Sequence, residues 1–193
     1  MVHIALLNGS PSLSSSTAAV LASAELHLEA LGHICETVHI RSLPAQALLT
    51  ADTHNPHIAT AIETVSTADA LVVASPVYKA SYTGLLKVFI DLIPSQGLKN
   101  IPVLPFVTGG SLNHVLALDY QLKPLLATLG ATQIARGRMF CGARITHGTV
   151  QEPEASEIRE IVHEFATHVG ASNPLKGDPD PLHNESDWLL LKT

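Results

Sequence analysis

The chain holds only two cysteines in 193 residues, Cys35 and Cys141, and neither belongs to a CxxC pair. A disulfide-stapled secreted scaffold and a zinc ribbon are both excluded by that count. Charge is sparse as well. Charged residues make up 15% of the chain, the net charge is −6, and no basic block occurs. Nucleic acid is therefore not an expected partner, because a phosphate backbone calls for clustered Lys and Arg. No apolar run approaches the ~18–20 residues of a membrane span. The opening MVHIALLNGSP has no basic n-region and reaches a turn at Asn8-Gly9, so it reads as a strand and not as a secretory signal. A cytoplasmic location is the expectation.

Several motifs are missing too. There is no GxGxxG and no GxxxxGK[ST], which argues against a dinucleotide fingerprint or a Walker loop. No GxSxG elbow supports a serine hydrolase. The eleven histidines include no HExxH pair and meet no cysteine cluster, so no metal site is expected.

What the chain does have is apolar material, 46% of its residues, enough to build the core of one domain. That domain is expected over 1–170, with a polar, proline-containing extension over 171–193. The extension ends in an apolar anchor, Trp188-Leu189-Leu190-Leu191. Strands are expected at 2–7, 33–40, 70–74 and 101–107, with a weaker fifth at 132–140. Helices are expected at 18–31, 56–67, 112–129 and 152–169, the third of them disturbed by Pro124. Another helix follows 81, with Ser81 as its expected cap. Residues 42–55 read as a loop with a short helical turn. Strands alternating with helices imply a parallel sheet covered on both faces. Five strands without a second half favour an α/β, doubly wound, flavodoxin-like sheet of order 2-1-3-4-5.

In that order strands 1, 3 and 4 are central, and the loops after them open on one sheet edge. The first loop, residues 8–17, offers Gly9, a run of hydroxyls and a helix N-terminus, a set suited to phosphate. The second, residues 75–82, is stiffened by Pro76. Val77 and Tyr78 give it apolar surface for a flat ring, and Lys79 gives it a positive charge. The third, Thr108-Gly109-Gly110-Ser111, lets the backbone approach the same ring.

Three stretches carry a resemblance: GSP followed by the serines up to Thr17, SPVYKASYTGLLKVFIDLIP, and VTGGSLNHVLALDYQLKPLLATLGA. They resemble the NAD(P)H-dependent FMN reductases, in particular the alkanesulfonate-linked subgroup, from about residue 3 to residue 137. The resemblance implies a flavoprotein oxidoreductase of sulfur metabolism, with FMN and NAD(P)H as cofactors. It implies Ser10, Ser15, Ser16 and Thr17 around the FMN phosphate. Pro76, Val77, Tyr78 and Lys79 fall along the isoalloxazine ring, with Thr108, Gly109 and Gly110 on its other side. No catalytic side chain is implied, since the cofactors carry the hydride, and Lys79 is left a tuning role. The subgroup supplies reduced FMN to a partner monooxygenase that desulfonates organosulfonates. It also implies a π-type turn near Tyr120, with that side chain in a subunit contact of a homodimer or homotetramer. Many members carry Arg two residues after the first loop's serine, where this chain has Ser12. Two other readings fit the same loops: a reductase of quinones or azo dyes that retains FMN, and a flavodoxin-type electron carrier or flavin-binding module.

Overall fold

A computed structural model describes residues 1–141, 145–146 and 148–171. The expected 171–193 extension, its Trp188–Leu191 anchor included, lies outside them apart from Ala171. Five strands, β1 (His3–Asn8), β2 (Ile34–His39), β3 (Ala70–Pro76), β4 (Val103–Gly109) and β5 (Arg138–Cys141), form one sheet of order β2-β1-β3-β4-β5. Every neighbouring pair is parallel. This is the flavodoxin-like order expected from the alternation of elements.

The two faces of the sheet follow from the two-residue period of a strand. Ile4, Leu6, Val72, Ala74, Leu104 and Phe106 pack on α1 (Ser16–Ala30) and the long C-terminal helix α6 (Glu154–Ala171). Ala5, Leu7, Leu71, Val73, Val103 and Val107 face the other way. They meet the short α2 (Ala45–Leu49), α3 (Pro56–Thr67), α4 (Gly84–Ile90) and α5 (Lys123–Thr128). Two covered faces explain why 70–75 is an unbroken buried run and not an alternating one. β2 lies at the edge instead, and Ile34 is exposed.

Local chemistry sets the helix ends. Ser15 caps α1 by accepting from the Ala18 amide at 3.1 Å. Asn55 caps α3 in the same manner, with Pro56 at its first position. Ser81 does not cap α4. It is tied to Tyr78 by a reciprocal pair of main-chain bonds, and the cap falls to Thr83, whose hydroxyl accepts from the Leu86 amide at 3.0 Å.

The helix expected at 112–129 is in three pieces. A 3-10 turn spans Leu112–His114, a π-helical turn spans Leu118–Leu122, and α5 starts at Lys123, with Pro124 in its first turn. The Lys123 amide still bonds back to the Leu118 carbonyl in the π pattern, and Pro124, with no N–H to donate, falls where that pattern gives way to α5. The π-turn surrounds Tyr120, as expected.

The fifth strand is shorter than expected, and Pro105 accounts for this. The Val103 amide bonds to the Gln133 carbonyl at 2.9 Å, so Val103 faces the fifth strand. By the two-residue period Pro105 faces it too, and Pro105 has no N–H to offer. The outer chain makes a bridge at Ile134, breaks, and resumes pairing only from Arg138, opposite Phe106. Gly137 stands at the break with φ +68°, and a Cβ there would lie 2.2 Å from the Pro105 carbonyl oxygen. The small antiparallel pair β6 (Ile145–Thr146) and β7 (Thr149–Val150) was not anticipated.

Candidate functional site

β1, β3 and β4 are adjacent and parallel, so their following loops meet at one edge, where a doubly wound sheet keeps its crevice. The loops are also bonded to one another pairwise. Gly9 donates its amide to the Ala74 carbonyl at 2.8 Å, joining the first strand end to the second. The Thr83 hydroxyl donates to the Gly9 carbonyl at 2.7 Å. The Val77 amide donates to the Thr108 carbonyl at 2.7 Å, joining the second loop to the third. The hydroxyls of Thr17 and Thr108, both buried, lie 2.6 Å apart and close the triangle from first to third. Such bracing fixes the cradle before any ligand arrives.

Within the first loop most hydroxyls are already engaged. Ser10 is buried; its hydroxyl donates to the Ser12 carbonyl and accepts from the Ser12 amide, at 3.3 and 3.2 Å. The Asn8 side chain holds the Ser10 amide at 3.0 Å. Ser15 is spent on the α1 cap and Thr17 on Thr108. Ser16, half-exposed at the first position of α1, is left to present its hydroxyl beside the open helix end. Of the four expected phosphate residues, then, three shape the loop with their side chains. Residues 8–17 contain no Lys, Arg or His. An anion there would rest on backbone amides, the Ser16 hydroxyl and the helix dipole.

The second loop is a two-residue hairpin. Tyr78 and Ser81 face each other across it, and both central residues, Lys79 and Ala80, have positive φ, 51° and 64°. That turn favours Asn-Gly, so a side chain at both positions stores strain. The turn lifts Lys79 and Tyr78 into solvent, while Val77 is buried and Pro76 half-buried beneath them. In the third loop Thr108 is buried, Gly109 half-buried and Gly110 exposed. A Cβ on Gly109 would come within 2.8 Å of the Met139 Cε and 3.8 Å of the Val77 Cβ, so it is the missing side chain that lets this loop pack closely against those two residues. A flat apolar ring edged by main-chain groups, with a phosphate tail toward α1, fits this arrangement.

Thr83 belongs to the site, although no site role was expected for it. It bonds the first loop, caps α4, and donates its own amide to the Ser75 hydroxyl at 3.1 Å. The signal in the sequence was a threonine before a glycine and an apolar helical run, TGLLKVFI. Tyr120 is exposed beside His114, Leu116 and Ala117, at the rim of a shallow depression shared with Ala80. Within one chain it makes no core contact of the kind its size would favour.

Comparison with known proteins agrees with this geometry. The family model described as NADPH-dependent FMN reductase matches residues 2–144. The chain belongs to that family. It is 37% identical to the FMN reductase (NADPH) of Pseudomonas putida, over 82% of this chain and 81% of the relative. It is 36% identical to the NADH-dependent FMN reductase SfnE of the same species, over 91% and 96%. Among solved structures, the apo form of the NADH:FMN oxidoreductase EMOB superposes with a TM-score of 0.82 at 33% identity, covering all of both chains. This member of the family is accordingly an NAD(P)H:FMN oxidoreductase, with FMN and NAD(P)H as its reactants. No helix among its described residues is long and apolar enough to cross a membrane.

Proposed function

We propose that this FMN reductase hands its reduced flavin to a flavin-dependent monooxygenase of the sulfonate type. The observation that carries the reading is a phosphate end without a permanent cation, on a cradle that is otherwise rigidly braced. Backbone amides and one serine hydroxyl bind a phosphate less tightly than a guanidinium does. A moderate hold suits a flavin that must leave after each turnover. The likeness of 75–94 and 107–131 to the alkanesulfonate-linked subgroup points to the same use.

The roles follow from placement. Ser16 and the first amides of α1 receive the phosphate, while Ser10, Ser15 and Thr17 keep that loop in shape. Pro76, Val77 and Tyr78 support one side of the ring, and Thr108, Gly109 and Gly110 the other. Lys79, held out by the hairpin, stands where it can meet the negative charge of the reduced ring or of a nucleotide phosphate. Bound FMN supplies the hydride acceptor, and the protein's share is to fix distance and stacking. Lys79→Ala should raise the KM for FMN or NADPH several-fold and leave kcat nearly unchanged. A dead enzyme with normal flavin binding would place Lys79 in the chemistry instead.

Leu116 and Tyr120 are exposed large apolar side chains that line one shallow depression with Ala80 and Ala117. We assign it to contact between copies of the chain, which would cover Tyr120. The hand-over itself is tested by reconstitution. NADPH, FMN, an alkanesulfonate and a two-component monooxygenase lacking its own reductase should release sulfite only when this protein is added. NADPH oxidation without sulfite would confine the activity to flavin reduction.

A further inference from the structure

On the far side of the molecule the broken fifth strand leaves a groove. A cavity of about 520 Å³ opens between residues 132–138 and α6, near the amino-terminal start of β4. Leu104 and the buried Phe165 form its floor, and the half-buried Ile134 and Ile161 its sides. Of the apolar residues on the inner face of α6, Ile158, Val162 and Phe165 are buried in the core, but Ile161 is not. None of the unpartnered buried polar atoms among the described residues lines this cavity, so the groove calls for an apolar occupant. Its rim carries Arg136, Arg138, Glu164 and His168. Arg138 is paired with Glu157 at 2.8 Å, while Arg136 has no ion-pair partner among the described residues.

We propose that the groove is the seat of this chain's own C-terminal segment, Trp188-Leu189-Leu190-Leu191. Three observations converge on that occupant. The segment is the one apolar run in an otherwise polar extension. It is preceded by Asp178, Asp180, Glu185 and Asp187, acidic residues that complement Arg136 at the rim. The extension leaves from α6, the helix that forms one wall. From Ala171 back to Ile161 is ten helical residues, ~15 Å at the helical rise. Residues 172–187 can span ~50 Å when extended, so the return is well within reach. Docked there, the segment would cover Ile134 and Ile161. The groove lies away from the flavin loops, so this contact contributes to stability and not to hydride transfer.

Trp188 is the only tryptophan in the chain, so tryptophan emission reports this segment alone. The test is acrylamide quenching of the full-length protein before flavin is added. The expected result is quenching several-fold weaker than in urea-unfolded protein, unchanged on dilution. Ile161→Lys should restore quenching, and so should Arg136→Glu at an exposed position that folding does not depend on. Both variants should keep FMN-dependent NADPH oxidation. Trp188 quenched as freely as in the unfolded chain would overturn the proposal. So would shielding that persists in Arg136→Glu and in any folded Ile161→Lys protein. Shielding lost on dilution, together with a change in sedimentation, would assign the groove to a second copy and overturn the assignment within one chain.

Discussion

Thr83 joins more of the site than any other single side chain. Its hydroxyl donates to the Gly9 carbonyl and accepts from the Leu86 amide, both out of water. Thr83→Val keeps the shape and removes both bonds, leaving a buried carbonyl and a helix-end amide unpaired. The expected loss is ~2 kcal/mol in urea unfolding, together with weaker FMN binding in a flavin titration. Unchanged stability would mean that the loops are held by packing alone. Cys35 allows a second check at this scale. Burial, assisted by the charges of Glu25 and Glu29, pushes its thiol up to about 12. The folded chain therefore keeps this proton where the unfolded chain, at the usual 9.0, gives it up. Stability from this group falls as pH rises through that window, because the native state there binds more protons than the unfolded one. Since the thiolate is the nucleophile, iodoacetamide near pH ~8 should label Cys35 far more slowly in the folded protein than in urea. Equal rates would contradict the shift.

At the scale of elements, Gly137 is the sharpest case. It needs positive φ, and its Cα faces the Pro105 carbonyl with no room for a methyl group. Gly137→Ala should cost at least ~2 kcal/mol, from conformation and overlap together, and lower the melting temperature. A neutral result would show that 135–137 can swing away from β4. The same corner marks the limit of what the sequence made legible. The βα alternation and the apolar runs gave the sheet order and the three loops, because period and turn residues are local properties. The fifth strand reads as continuous over 132–140, because its break is caused by a proline thirty residues earlier on a neighbouring strand. Ser81 reads as the helix cap for a similar reason. Nothing local announces that Tyr78 and Ser81 pair across two non-glycine residues of positive φ. Ser10, Ser15, Ser16 and Thr17 read alike in the sequence as hydroxyls of one loop, and only the hydrogen bonds separate the half-exposed Ser16 from Ser10, Ser15 and Thr17, which brace.

For the whole molecule, the surface bearing Val115, Leu116 and Tyr120 is the place where association is expected. The π-turn at Leu118–Leu122 carries Tyr120 outward, and a large aromatic there has little to gain from solvent. Tyr120→Glu should shift sedimentation toward the monomer at micromolar concentration while far-UV dichroism stays the same. A wild-type monomer would remove that role. The account as a whole rests on the three braced loops forming a seat for FMN that is entered and left during turnover. The direct measurement is NADPH oxidation by flavin-freed protein as FMN is added, with free reduced flavin followed by its reoxidation in air. A rate that is near zero without FMN, saturates with it, and yields reduced FMN in step with NADPH consumed is the predicted result. NADPH oxidation that ignores added FMN, or none at saturating FMN, would contradict it.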